Sequence, residues 1–238
     1  MKLLRAAIAL FAPLVLWGCV LTPGKFVSSL IINADRTFAF AYKGEVMAVD
    51  PSSAMKGMSD SSDAKPAEGD APKLDAAKPS ATSEAEADAK NREIAAALSK
   101  EAGYKSVVYR GKGKFEIDYA VSGTLSHSFL FPFNADAQAV LPFVMVEVRQ
   151  GGAVRVRAPG FANSQSGGAT MGGLSGMGGG GASDAAKYLD GVFTLDTNAE
   201  IVSQNNEDGA KVAGARRQIT WRVTPLTKDP PTAVLRFK

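Results

Sequence analysis

Two long stretches of this chain lack the means to build a core, and they confine the fold to what lies between them. From Asp50 to about Asp88 the sequence is mostly Ala, Ser, Asp, Lys and Pro, with Leu74 its only large aliphatic apart from Met55 and Met58. From Ser164 to Ser183, nine glycines fall between Gly167 and Gly181. Neither stretch holds enough apolar surface to offset the conformational entropy of ordering it. The first reads as a disordered acidic insert over 50–90, the second as a flexible Gly-rich loop over 164–183. The folded part must then be assembled from 19–49 and 91–238.

Within those segments the apolar residues alternate, as they do in half-buried strands. Phe26 to Ile32 and Thr37 to Val49 are such runs, split by Asn33-Ala34-Asp35-Arg36, whose turn chemistry predicts a hairpin. Phe38, Phe40 and Tyr42 share one face of the second arm, because side chains in a strand repeat every two residues. The one clear helix is expected over Asn91 to Gly103, with Ile94 and Leu98 on one face and Gly103 as its C-cap. Further strands are expected over 105–110, 114–122, 126–133, 141–148, 153–158, 191–196, 200–204, 218–224 and 232–237. Gly111-Lys112-Gly113 and Gln150-Gly151-Gly152 are read as tight connections between neighbours. Many strands and one helix predict an α+β fold with a mainly antiparallel sheet.

The N-terminus carries the strongest functional signal. Lys2 and Arg5 precede an apolar run from Ala6 to Trp17, twelve residues long. That is too short to span a bilayer, which takes about 20 apolar residues, and it has the layout of an export signal. Leu16-Trp17-Gly18-Cys19 then resembles the lipobox of bacterial lipoproteins, with residues 1–18 as the signal peptide and Cys19 as the lipidated first residue. Trp17 departs from the small or β-branched residue usual at its place. An ordinary signal peptide with an incidental cysteine is the alternative. Cys19 is the sole cysteine, and lipidation accounts for a lone thiol in an exported chain. Val20 is not the aspartate that retains some lipoproteins at the inner membrane, which favours the outer membrane in a two-membrane cell.

The remaining sequence offers no reaction. The single histidine, His127, lies between Ser126 and Ser128, and strand neighbours would point to opposite faces rather than form a dyad. Gly176, Gly178 and Gly181 fit a dinucleotide fingerprint by spacing, but a glycine tract precedes them where a buried strand is required. With the cysteine consumed, no metal-ligand spacing remains, and neither a metal nor a cofactor is expected. The formal charge is +3, and loss of Lys2 and Arg5 with the leader leaves +1. That balance does not argue for nucleic acid. Two basic groups lie at turns: Lys112 and Lys114 beside one, Arg149, Arg155 and Arg157 around another. They could bind anionic lipid or phosphate beside a membrane, each near-surface charge adding about 1 kcal/mol. The competing reading is of solvated strand faces that keep sheet edges from pairing.

Three segments resemble the LppM domain, found in lipoproteins of mycobacteria and other bacteria. Gly24-Lys25-Phe26 through Asp35-Arg36-Thr37-Phe38 resembles its opening strand, charged turn and second strand. Glu101-Ala102-Gly103-Tyr104-Lys105-Ser106-Val107 resembles its helix-to-strand passage. Glu200-Ile201-Val202-Ser203-Gln204-Asn205-Asn206, followed later by Ile219-Thr220-Trp221-Arg222-Val223, resembles its closing section. The resemblance implies an α+β envelope domain without catalysis, and for the mycobacterial member a phosphoinositide-like lipid-binding role. That member carries a C-terminal transmembrane helix, whereas no apolar tail precedes Lys238 here, and the acidic insert is extra. The sequence thus predicts a non-enzymatic interaction or scaffold module held to the membrane by Cys19. Anionic lipid or an envelope protein is its expected partner.

Overall fold

The computed structural model describes residues 20–49, 81–132, 142–163 and 187–237. The leader, Cys19, most of the acidic insert and the Gly-rich loop lie outside the described residues. The elements are β1 (Val20–Ile32), β2 (Thr37–Val49), α1 (Ala81–Leu98), β3 (Tyr104–Gly111), β4 (Lys114–Thr124), β5 (Phe129–Phe131) and β6 (Val144–Val148). They continue with β7 (Ala153–Arg157), β8 (Asp190–Thr197), β9 (Glu200–Gln204), β10 (Lys211–Ala213), β11 (Arg216–Val223) and β12 (Thr232–Arg236). This is an α+β architecture with one described helix, as the alternation and the helix signal predict.

The strands form two sheets. The larger has seven strands in the order β10-β11-β8-β1-β2-β4-β3, the smaller five in the order β5-β6-β7-β12-β9. Every pairing is antiparallel except β1 with β8. The β1–β2 hairpin has the expected turn, with Ile32 opposite Phe38. Side-chain alternation sends Leu30, Phe40, Tyr42, Phe193 and Ile219 inward, all essentially buried. The small sheet answers with Val146, Val154, Val156 and Leu235. Aromatic rings bridge the two layers: Phe40 to Phe131 at 5.0 Å, Tyr42 to Phe143 at 5.9 Å and Phe193 to Phe161 at 5.4 Å between centroids. Each ring so buried contributes about 1.5–3 kcal/mol by area alone, and each well-placed pair about 0.5–1.5 kcal/mol more. Gly191 is required by this packing, since a Cβ there would lie 2.4 Å from the Phe26 ring.

Three sequence expectations change. The helix begins at Ala81, ten residues before the expected Asn91, and ends at Leu98, before Gly103. Its first half belongs to the stretch read as disordered. Ala85, Ala87 and Ala89 favour helix. Glu86 with Lys90 and Asp88 with Arg92 add charge pairs at a spacing of four. Second, β1 starts at Val20 rather than Phe26. Third, the strand expected over 126–133 is only Phe129–Phe131, and Ser126 and His127 lie in a bend before it.

Candidate functional site

The two ends of the sandwich differ, and the predicted site residues divide between them. At one end β1 begins. Val20 stands opposite Val49 and Leu21 opposite Ala48. On the next strand over, Met47 stands opposite Lys114. The β3–β4 turn closes against this end through an Ala48 N–H donated to the Gly113 carbonyl, 2.7 Å. Gly111, Lys112 and Gly113 all have positive φ, of 89°, 52° and 72°. A Cβ on Gly113 would lie 2.6 Å from the Ala48 carbonyl oxygen, so the turn is held tight against β2. Lys112 at its tip is exposed and outside every ion pair of the described residues.

One hydroxyl ties three elements together here. Tyr109 Oη accepts the Gly113 N–H at 3.0 Å and the Asn91 side-chain amide at 3.3 Å, and donates to the Asp88 carboxylate. The first half of α1 is thereby fastened to β3 and to the turn. Lys114 is not free like its neighbour. Its ammonium sits 2.5 Å from the Glu45 carboxylate. Burial pulls the Glu45 carboxyl upward, but Lys114 and a Lys25 backbone N–H outweigh it and hold the carboxyl below its ordinary value. Arg110 is likewise paired, with Glu116 at 2.5 Å.

At the far end the β1–β2 turn is built from polar contacts. Asp35 accepts from the Thr37 hydroxyl at 2.7 Å and the Thr37 N–H at 2.9 Å, and these bonds lower its carboxyl pKa. Arg216 donates to Asp196 and to the Asn33 side-chain oxygen, the latter at 2.8 Å. Asn198 takes the Ala34 N–H at 2.7 Å. The Arg36 guanidinium lies 5.6 Å over the Phe237 ring. Phe237 N–H is donated to the Gly152 carbonyl at 2.8 Å, so the β6–β7 turn, with Arg149 at its start, also belongs to this end.

The basic residues therefore do not form one patch. Lys112 and Lys114 lie where β1 begins, and Arg149 lies at the opposite end, paired with Glu147 at 2.9 Å. Arg155 and Arg157 share the outward face of β7, as their spacing predicts, while Val154 and Val156 are buried. Across the ladder Arg155 stands opposite Glu147 and Arg157 opposite Met145. Turn chemistry located both groups, but their separation depends on how the two sheets stack, which no local pattern encodes. Cys19 itself lies outside the described residues.

Elsewhere the chemistry is quiet. Ser126 Oγ lies 3.0 Å from His127 Nδ1, so these side chains meet, contrary to the expectation from strand alternation. The bend turns both to the same side. Both are exposed, and no described carboxylate contacts the ring. Burial raises the Tyr42 phenol well above its ordinary value and that of Tyr104 to about 12, with the neighbouring Tyr119 and Glu101 adding to the latter. These shifts keep the hydroxyls neutral, the opposite of what activates a nucleophile. Among the described residues, no group of three His, Cys, Asp or Glu is placed to hold a metal ion. No described helix is long and apolar enough to cross a membrane.

Fold and site together define an α+β domain of two packed sheets, with a clasped basic turn at the end where β1 begins. No family model matches the chain, and no curated protein matches it. Among solved structures it is similar to the folded domain of Mycobacterium tuberculosis LppM, with 16% identity, a TM-score of 0.34 and coverage of 93% of each chain. It is also similar to an M1 zinc metallopeptidase from Deinococcus radiodurans, with 7% identity and a TM-score of 0.27, over 91% of this chain and 42% of that one. At such scores neither likeness carries weight for fold or function.

Proposed function

We propose that this protein is a lipid-anchored, non-enzymatic envelope lipoprotein whose folded domain serves as an interaction or scaffold module. The observation that carries the reading is the lipobox-like run Leu16-Trp17-Gly18-Cys19 followed at once by a paired residue, Val20 opposite Val49. A chain processed before Cys19 would keep every described residue of β1 and hold them directly beside the anchor. Acyl chains on Cys19 would hold the domain at the membrane, since each buried methylene contributes about 0.8 kcal/mol. Val20 after the cysteine favours the outer membrane in a two-membrane cell.

The test is direct. Cys19→Ala in the full chain should abolish incorporation of a palmitate analogue and leave a larger, uncleaved precursor. Labelling that persists in this variant overturns the anchored reading. A second reading, peripheral binding of lipid or anions by the basic turns, is narrowed by the geometry. Only the Lys112–Lys114 turn lies at the end where the anchor would be.

A further inference from the structure

We propose that the β3–β4 turn, with Lys112 at its tip, rests on the headgroup layer of the membrane that holds the anchor, so that the strands stand upright on the bilayer. This orientation rests on the lipid-anchored reading above. Its physical basis is the absence of slack. The residue after Cys19 already pairs, Val20 against Val49, and one residue spans at most about 3.6 Å. A lipid on Cys19 therefore brings the first strand's start to the membrane surface.

The turn is the neighbour at that level. Gly113 is bonded to Ala48, and Ala48 stands opposite Leu21. The turn thus lies two strand spacings from the start of β1, about 10 Å. Its three positive φ angles and the Tyr109 clasp fix where it points. A lysine there can bury its methylenes among headgroups and keep its ammonium at the phosphates. Charge alone does not drive the docking, because Asp88 on α1 and Glu45 on β2 come to the same end. The anchor sets the placement and Lys112 is the side chain left free to meet the lipid.

A domain lying flat on the large sheet would have to desolvate charge. The outward face of that sheet exposes Val27 and Ile31 among the short side chains of Ser29, Ala39, Ala41, Ala120 and Ser122. Lys43 and Asp118, 3.7 Å apart, would have to be desolvated beside them. In the upright pose β1 runs 13 residues away from the bilayer, which puts the far end about 40 Å out. Arg36 and Arg149 then face away from the lipid.

Depth-dependent quenching tests this. Once Cys19 is acylated, an introduced cysteine is the sole free thiol. Lys112→Cys, Ile31→Cys and Arg149→Cys, each in the full lipidated chain, are labelled with an environment-sensitive fluorophore. They are then reconstituted into phosphatidylcholine–phosphatidylglycerol vesicles carrying a headgroup-level spin-labelled lipid. Quenching at 112 should exceed that at 31 and 149 several-fold. Arg110→Cys, at the same end but outside the strained turn, should behave like 112 and guards against a misfolded Lys112 variant. Strong quenching at 31 would mean the domain lies flat, and at 149 that it stands inverted; either overturns the orientation. So does a chain that floats with the vesicles while 110 and 112 stay unquenched, the result expected if a protein partner covers this end. A chain that neither floats nor carries the acyl mass on Cys19 overturns the anchored reading and, with it, the orientation.

Discussion

The two ends of the sandwich are held by different chemistry. Where β1 begins, the structure depends on backbone geometry: three successive positive φ angles, a glycine with no room for a Cβ, and one tyrosine hydroxyl shared among a helix, a strand and a turn. At the far end the chain is secured by side-chain polar bonds, with Arg216 joining β11 to Asp196 and to the β1–β2 turn at Asn33. The first kind of end is rigid but intolerant of added atoms. The second is tied across strands by charge, through Arg216 and its partners. In the proposed pose the first end is the one presented at the membrane, and a hydrogen-bonded backbone clasp suits it, since such a clasp does not weaken with salt as an exposed ion pair does.

Substitutions can break the comparison at either end. Gly113→Ala should have the largest effect. A non-glycine residue at positive φ costs about 1–2 kcal/mol, and the contact with the Ala48 carbonyl adds to it, so a loss of about 2–3 kcal/mol is expected in denaturant unfolding. A Gly113→Ala variant as stable as the parent would show that the turn is loose. Arg216→Ala comes next. It leaves Asp196 and Asn33 without their donor, and hydrogen bonds to a charged group contribute about 1.5–3 kcal/mol each where buried. Arg216 is about two-thirds covered, its side chain 33% exposed, so about 1–2 kcal/mol is expected, and unlike the first loss it should shrink as salt is raised.

The smallest effect is a pH dependence at the β1 end. Glu45 has a folded pKa below its ordinary 4.5. The folded state therefore binds this proton less readily than the unfolded chain. The stability it contributes is present above about pH 4.5 and is lost as pH falls through the lower folded value. Glu45→Gln should flatten that part of the acid limb of a stability–pH curve. An unchanged acid limb would show that Lys114 and Glu45 are not coupled in solution.

Legibility in the sequence followed range. The β1–β2 hairpin was readable because its turn residues and its alternation are local and agree. The Phe38–Phe40–Tyr42 face was readable for the same reason. The helix was misplaced because Ala-rich sequence with sparse large side chains resembles disorder in composition. What stabilises its first half is a contact with Tyr109, 21 residues away from Asp88. The bend at Ser126–His127 was missed because a short polar run without Gly or Pro gives no break signal. The short β10, all of it exposed, has no apolar pattern by which to be found.

The site divides in the same way. Sequence alone determined the export-signal layout, the lone Cys19, the strand-rich composition and the two positions where basic residues gather at turns. These are properties of neighbouring residues, and neighbouring residues are what a local pattern records. Only the tertiary structure decided that β8 lies parallel beside β1. It also decided that Lys112 comes to the end where β1 starts and that Arg149 goes to the opposite one. Those placements follow from how two sheets bury their aromatic faces against each other, and that choice is made by contacts between residues far apart in the chain.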